Sequence, residues 1–140
     1  MKVLLVLAAV FVLGVGSCIG VGYYWFSSNA EELAKMGEEA QAQGEAFGRG
    51  KTADDCLNRT FDEVQLCDEW DLLCEVKETL TFRACLDYAA VPDDYCEGVP
   101  PESSIMDSVT YRTEQCSDGP LEDVNRCGRV YAVIQQYCHG

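Results

Sequence analysis

Cys56 and Cys67 stand eleven residues apart. The same interval separates Cys74 from Cys85, Cys85 from Cys96, Cys116 from Cys127 and Cys127 from Cys138. Eleven helical residues turn through about 1100°, which is three turns and about 20° more. Two such cysteines share one helix face, about 16.5 Å apart. A disulfide needs Cα atoms within about 7 Å, so a pair inside one helix cannot bond to itself. Each cysteine must reach a second helix or lie beside a turn. The repeated interval therefore predicts short helices stitched face to face at two levels, an all-α, disulfide-stapled helical hairpin domain.

The disulfide candidates are Cys56, Cys67, Cys74, Cys85, Cys96, Cys116, Cys127 and Cys138; the ninth cysteine, Cys18, lies in an apolar N-terminal run. Eight cysteines allow about 105 connectivities. The spacing favours a nested one, with Cys67–Cys74 inside Cys56–Cys85 and Cys116–Cys127 inside Cys96–Cys138. Cys85–Cys96 across the Pro92 turn is the competitor. Paired C-x(n)-C helical hairpins resemble the twin C-x9-C proteins of the coiled-coil-helix family, which stitch two helices with two disulfides. The interval here is C-x10-C, and the resemblance implies the hairpin and no function.

Residue patterns around the cysteines agree with helices. Thr60 and Glu63 have capping-box spacing at the start of a helical stretch, 61–90, whose apolar faces would be Leu66, Leu73, Val76, Leu80 and Leu86. Val91-Pro92 ends it, because Pro disfavours helix at the residue before. Pro and Gly make 92–104 a loop. Ser104 and Asp107 open another helix, and Pro120 suits the first position of the last one. There Leu121, Val124, Tyr131 and Ile134 share a face with Cys127 and Cys138. No stretch alternates with period two long enough to suggest a strand.

Residues 3–26 carry no charge over 24 positions. They would reach roughly 36 Å as a helix, enough to cross a hydrocarbon core of about 30 Å. Tyr23, Tyr24 and Trp25 close the run with rings suited to a membrane interface. Residues 1–26 are thus expected to be an N-terminal transmembrane signal-anchor, with Lys2 favouring a cytoplasmic N-terminus. Two alternatives stay open: cleavage near Ala30, and lipidation of Cys18, since "VGSC" at 15–18 resembles the bacterial lipobox. All three send the remainder to an extracytoplasmic space. Gly16 and Gly20, four apart, could bring two such helices together as a homodimer.

Residues 27–51 read as a helical stalk. Asn29 would cap it, Leu33, Met36, Ala40 and Phe47 would give a short heptad seam, and Gly37 and Gly44 would weaken it by about 1 kcal/mol each. "GRGK" at 48–51 would end it. Residues 52–140 are then the cysteine-rich domain.

Past residue 26, nine Lys and Arg stand against 24 Asp and Glu, a difference of −15. Such a surface repels nucleic-acid phosphates and excludes that class of partner. Zinc spacing is missing: there is no C-x-x-C, and one histidine, His139, which reads as a solvated tail residue. The same histidine would have to serve any Ser/His/Asp site. The run Asp62, Glu63, Asp68, Glu69, Asp71, Glu75 and Glu78 has no EF-hand pattern and reads as a solvated helix face. Asn58-Arg59-Thr60 has the form of a glycosylation sequon. Trp70 and Tyr95 are expected in the core rather than at a binding hot spot. No catalytic, metal or cofactor residues emerge. The expectation is a membrane-anchored structural or protein-interaction module with a basic partner. A small envelope enzyme, acting by thiol-disulfide exchange or hydrolysis, and an acidic cation-binding module are the alternatives.

Overall fold

The computed structural model describes residues 20, 22–24, 27–68, 70–119 and 121–140. Five helices follow one another: α1 (Lys2–Gly48), α2 (Ala53–Leu66), α3 (Leu72–Tyr88), α4 (Ile105–Ser117) and α5 (Val124–His139). No strand occurs among the described residues, and the one isolated bridge pairs Thr52 with Ala90. The fold is all-α, as the cysteine spacing requires. The chain divides into two compact units, 1–36 and Gly37–Gly140.

In the first unit the expected anchor, including Gly16 and Cys18, lies almost wholly outside the described residues; among those that are described, no helix is long and apolar enough to cross a membrane. Asn29 does not start a helix, because α1 runs through it.

The second unit begins inside the segment read as a stalk. From Gly37 on, α1 belongs to the compact domain, and Ala40, Gly44 and Gly48 are buried along one face. A Cβ at Gly44 would collide with the Thr81 carbonyl and the Ala84 Cβ, and one at Gly48 with the Cys85 carbonyl. These glycines therefore let α1 and α3 touch backbone to backbone. Their cost in helix propensity is offset by packing. The helix stops where "GRGK" indicates: Lys51 N–H bonds to Gly48 O at 3.0 Å, and Gly50 takes a φ of +76°, open to glycine without strain.

Four disulfides build the rest: Cys56–Cys85, Cys67–Cys74, Cys96–Cys138 and Cys116–Cys127. This is the nested arrangement. α2 packs chiefly on α3 and α4 on α5, while α5 also contacts α3 and α2 and joins the two hairpins.

Several helix starts differ from expectation. The capping box of α2 is Thr52 with Asp55: Asp55 N–H bonds to Thr52 Oγ1 at 3.2 Å and Thr52 N–H to Asp55 Oδ2 at 2.9 Å. Those bonds hold the Asp55 carboxyl below its usual range. Thr60 lies two turns inside α2, where its hydroxyl donates to Cys56 O at 2.8 Å. Capping spacing occurs twice, and the first site wins because the chain has just been broken at 48–51. The expected continuous stretch 61–90 is also divided. Asp71 accepts from Cys74 N–H at 3.0 Å and caps α3, and the Cys67–Cys74 bond spans the break. Ser104 does precede α4, but its hydroxyl bonds to the Asp107 carboxylate and not to backbone. α5 starts at Val124 under Asp123, which accepts from Asn125 and Arg126 N–H groups, later than Pro120 implied; Pro120 itself lies outside the described residues.

The core holds Phe61, Val64, Phe82, Leu86, Val99, Leu121, Val130, Val133 and Ile134 around buried cysteines. Phe61, Tyr131 and Tyr111 form a chain of ring contacts 5.9 and 6.0 Å apart, and Tyr95 meets Tyr137 edge-on at 6.3 Å. Of the five residues expected to give the apolar faces of the first hairpin, Leu86 alone is buried, while Leu66, Leu73, Val76 and Leu80 are exposed. Apolar residues run all round α3, so periodicity selects no face; Thr81, Phe82, Cys85 and Leu86 turn inward because cysteine pairing and the α1 contact set the rotation.

Candidate interaction surface

The eight cysteines expected to pair are all in disulfides, so none offers a thiol. Among the described residues no group of three or more His, Cys, Asp or Glu could hold a metal ion. His139 is not merely a solvated tail: its Nε2 donates to Val99 O at 2.7 Å and ties the end of α5 to the loop before α4. The sequon residue Asn58 is exposed in mid-helix, but Thr60 is buried, so an enzyme reading the sequon would need this turn of α2 unfolded.

The acidic run divides by environment. Asp62, Asp68 and Asp71 are exposed, and Glu63 and Glu78 half-buried; Glu69 lies outside the described residues. Glu75 is buried, at 6% exposure, against the expectation of a solvated face. Its carboxylate meets Arg126 Nε at 2.6 Å and Arg129 Nη2 at 2.5 Å. The Arg126 guanidinium also donates to Cys67 O at 2.8 Å and Asp68 O at 2.9 Å. One α5 side chain thus neutralises a buried acid and ties down the α2–α3 turn. Nothing local marks Arg126 for this role, since 51 residues separate it from Glu75. Burial, and then the Glu63 carboxylate, push the Glu78 carboxyl above its ordinary range.

The turn so fixed carries Trp70, which is 89% exposed, beside Leu66 at 79% and Leu72 at 67%. Trp70 is therefore a surface residue and not the core residue expected. Leu73, Val76 and Leu80 continue the exposed apolar line along α3. Two grooves border it. One of about 250 Å³ lies against α5, lined by Leu72, Val76, Thr79, Ala132 and Val133. The other, of about 540 Å³, lies against the end of α1, lined by Gly37, Gln41, Leu80, Ala84 and Tyr88. Tyr95, by contrast, packs half-buried against the core as expected. Its hydroxyl finds no hydrogen-bond partner among the described residues, and burial pushes its pKa far up.

A smaller exposed apolar group, Ile105, Met106, Val109 and Val124, lies on α4 and the start of α5. Beneath it Gln135, fully buried, accepts from Ser108 Oγ at 3.1 Å and Arg112 Nε at 2.5 Å and donates to Pro100 O at 2.8 Å. Arg112 continues to Glu102 at 2.9 Å. This network is structural, since every polar atom of the amide is used inside the protein.

No protein-family model, curated protein or solved structure matches the chain.

Proposed function

We propose that the chain is a membrane-tethered protein-interaction module and that its disulfide-rich helical domain binds a basic protein partner. The observation that carries this reading is the exposed apolar line on α3, mounted on a hairpin closed by two disulfides. Contiguous exposed apolar surface of this kind marks interaction sites. A face already fixed by covalent bonds loses little freedom on binding. The acidic balance favours a partner rich in Lys and Arg. Four disulfides fit an oxidising, extracytoplasmic compartment. The uncharged run 3–26 supports a single-span tether with a cytoplasmic N-terminus, and Gly16 with Gly20 supports pairing of two such spans.

Two measurements test this. Intact mass of the native protein should retain residues 1–30 without lipid on Cys18. Cross-linked native protein, purified from solubilised membranes, should bring down a partner whose recovery falls at high salt, since screening acts within about 8 to 10 Å. No partner at either salt, together with a hydrolase or reductase activity abolished by one substitution, would reverse the reading in favour of an enzyme.

A further inference from the structure

We infer that the outer face of α3 and the Cys67–Cys74 turn form a seat for a basic amphipathic helix of a protein partner. The inference rests on the interaction reading above and names the surface and the chemistry of its occupant. Leu72 and Leu73, Val76 and Leu80 recur at three- and four-residue steps, and eight residues of helix span about 12 Å. That is the length over which a docked helix places anchors at i, i+3 or i+4, and i+7. The two flanking grooves, lined also by Arg83 and Asp87 on one side and by Glu75 and Arg129 on the other, give room for the partner's side chains beside the ridge. Trp70 and Leu66 lie at the turn end of the line. Trp is enriched among binding anchors, and this turn is held by the disulfide, the Asp71 cap and the Arg126 bonds to Cys67 O and Asp68 O.

Charge selects the occupant. Residues 62–78 contain seven carboxylates and one cation, Lys77. Glu75 is balanced by Arg126 and Arg129, while Asp62, Asp68 and Asp71 stay exposed on the same hairpin. A second copy of the chain would bring the same acids together, and lipid phosphates would be repelled. Lys and Arg flanking an apolar stripe satisfy both the ridge and its rim.

The test uses the full oxidised chain in zwitterionic nanodiscs with Trp25→Phe, which leaves Trp70 as its one tryptophan. A synthetic helical peptide of Lys and Leu, with leucines along one face, should blue-shift Trp70 emission saturably. The same peptide with Glu for Lys should not. Leu73→Asp with Val76→Asp, both at exposed positions, should weaken binding about tenfold or more, equivalent to about 1.4 kcal/mol, with an unchanged melting temperature. Asp62→Asn with Asp68→Asn should weaken it less and flatten its salt dependence. No shift with the Lys/Leu peptide, or equal shifts with both peptides or with the Leu73/Val76 variant, would overturn the proposal. So would a blue shift that grows with protein concentration alone, which assigns the face to a second copy. Quenching of Trp70 by brominated lipid would assign it to the membrane. A cross-linked native partner recovered equally by the Leu73/Val76 variant would remove this surface and leave the interaction reading intact. A chain with no partner and a measured turnover would remove the reading itself.

Discussion

The two hairpins use one cysteine interval and close in different ways. In α2–α3, Cys67–Cys74 bonds across the turn and Cys56–Cys85 bonds helix to helix near the open end. In α4–α5, Cys116–Cys127 bonds near the turn, but α4 has no second cysteine, and Cys138 reaches Cys96 in the preceding loop. The open end of the second hairpin is held by the amide of Gln135, through Ser108, Arg112 and Pro100. A covalent staple tolerates an outer face of almost any composition. A hydrogen-bonded clamp must be buried and fully satisfied. The first hairpin leaves Leu73, Val76 and Leu80 in solvent, while α5, packed on α4, α3 and α2, buries Val130, Val133, Ile134 and Gln135.

By loop length the Cys96–Cys138 pair, closing 42 residues, should cost most, about 4 kcal/mol, and the two staples of the first hairpin rank below it. Cys56→Ala with Cys85→Ala opens a loop of 29 residues and should cost about 3.5 kcal/mol by loop-closure entropy. The Cys67/Cys74 pair, closing seven, should cost about 2.4 kcal/mol. Urea unfolding of the oxidised variants measures all three. Equal costs would break the assignment of the open-end staple as the stronger constraint.

In the second hairpin, Gln135→Leu should cost about 2 to 3 kcal/mol by stranding its three partners. Hydrogen exchange should then rise in α4 before α2. Uniform loss of protection would mean that the clamp is not local to this hairpin.

The first hairpin has a second support in α1. Gly44→Ala should destabilise by about 1 to 3 kcal/mol, because the new methyl strikes the backbone of α3. Gly37→Ala meets nothing within 4 Å and should stabilise by up to about 1 kcal/mol. Melting temperatures moving in the same direction would contradict the close approach of α1 to α3.

The smallest effects at neutral pH are titrations, and they differ between hairpins. Burial raises the phenol pKa values of Tyr95, Tyr111 and Tyr131, which pack around α4 and α5. Their contribution is fully present below the unfolded value of about 10 and is lost as pH rises through the folded values. Alkaline unfolding should coincide with tyrosinate absorbance and appear first in the second hairpin. In the first, the raised carboxyl of Glu78 favours the fold below its unfolded pKa and loses that contribution as pH rises through the folded one. Glu78→Gln should therefore be slightly stabilising at pH 7, and the gain over the wild type should vanish in acid. A gain that persists in acid would point to a cause other than charge.

Features governed by local geometry were legible in the residues. The interval of eleven implies facing helices because helical angle depends on residue count alone, and nesting follows from closing each hairpin at its turn and near its open end. The stop at 48–51 and the loop after Pro92 follow from backbone preferences of Gly and Pro. The start of α5 was misplaced because Pro120 is a permissive signal, whereas Asp123 supplies hydrogen bonds. The rest depends on partners far away in the chain. Gly44 reads as a defect in a helix until α3 is laid against it. Glu75 reads as one more solvated acid until Arg126 arrives from 51 residues away. Leu73 and Val76 read as core until the Cys56–Cys85 bond and the α1 contact rotate α3 and turn them outward, and Trp70 until the Cys67–Cys74 turn carries it into solvent. A helix with apolar residues on every side has no inward face of its own, and only the energies of packing and pairing in the folded chain choose one.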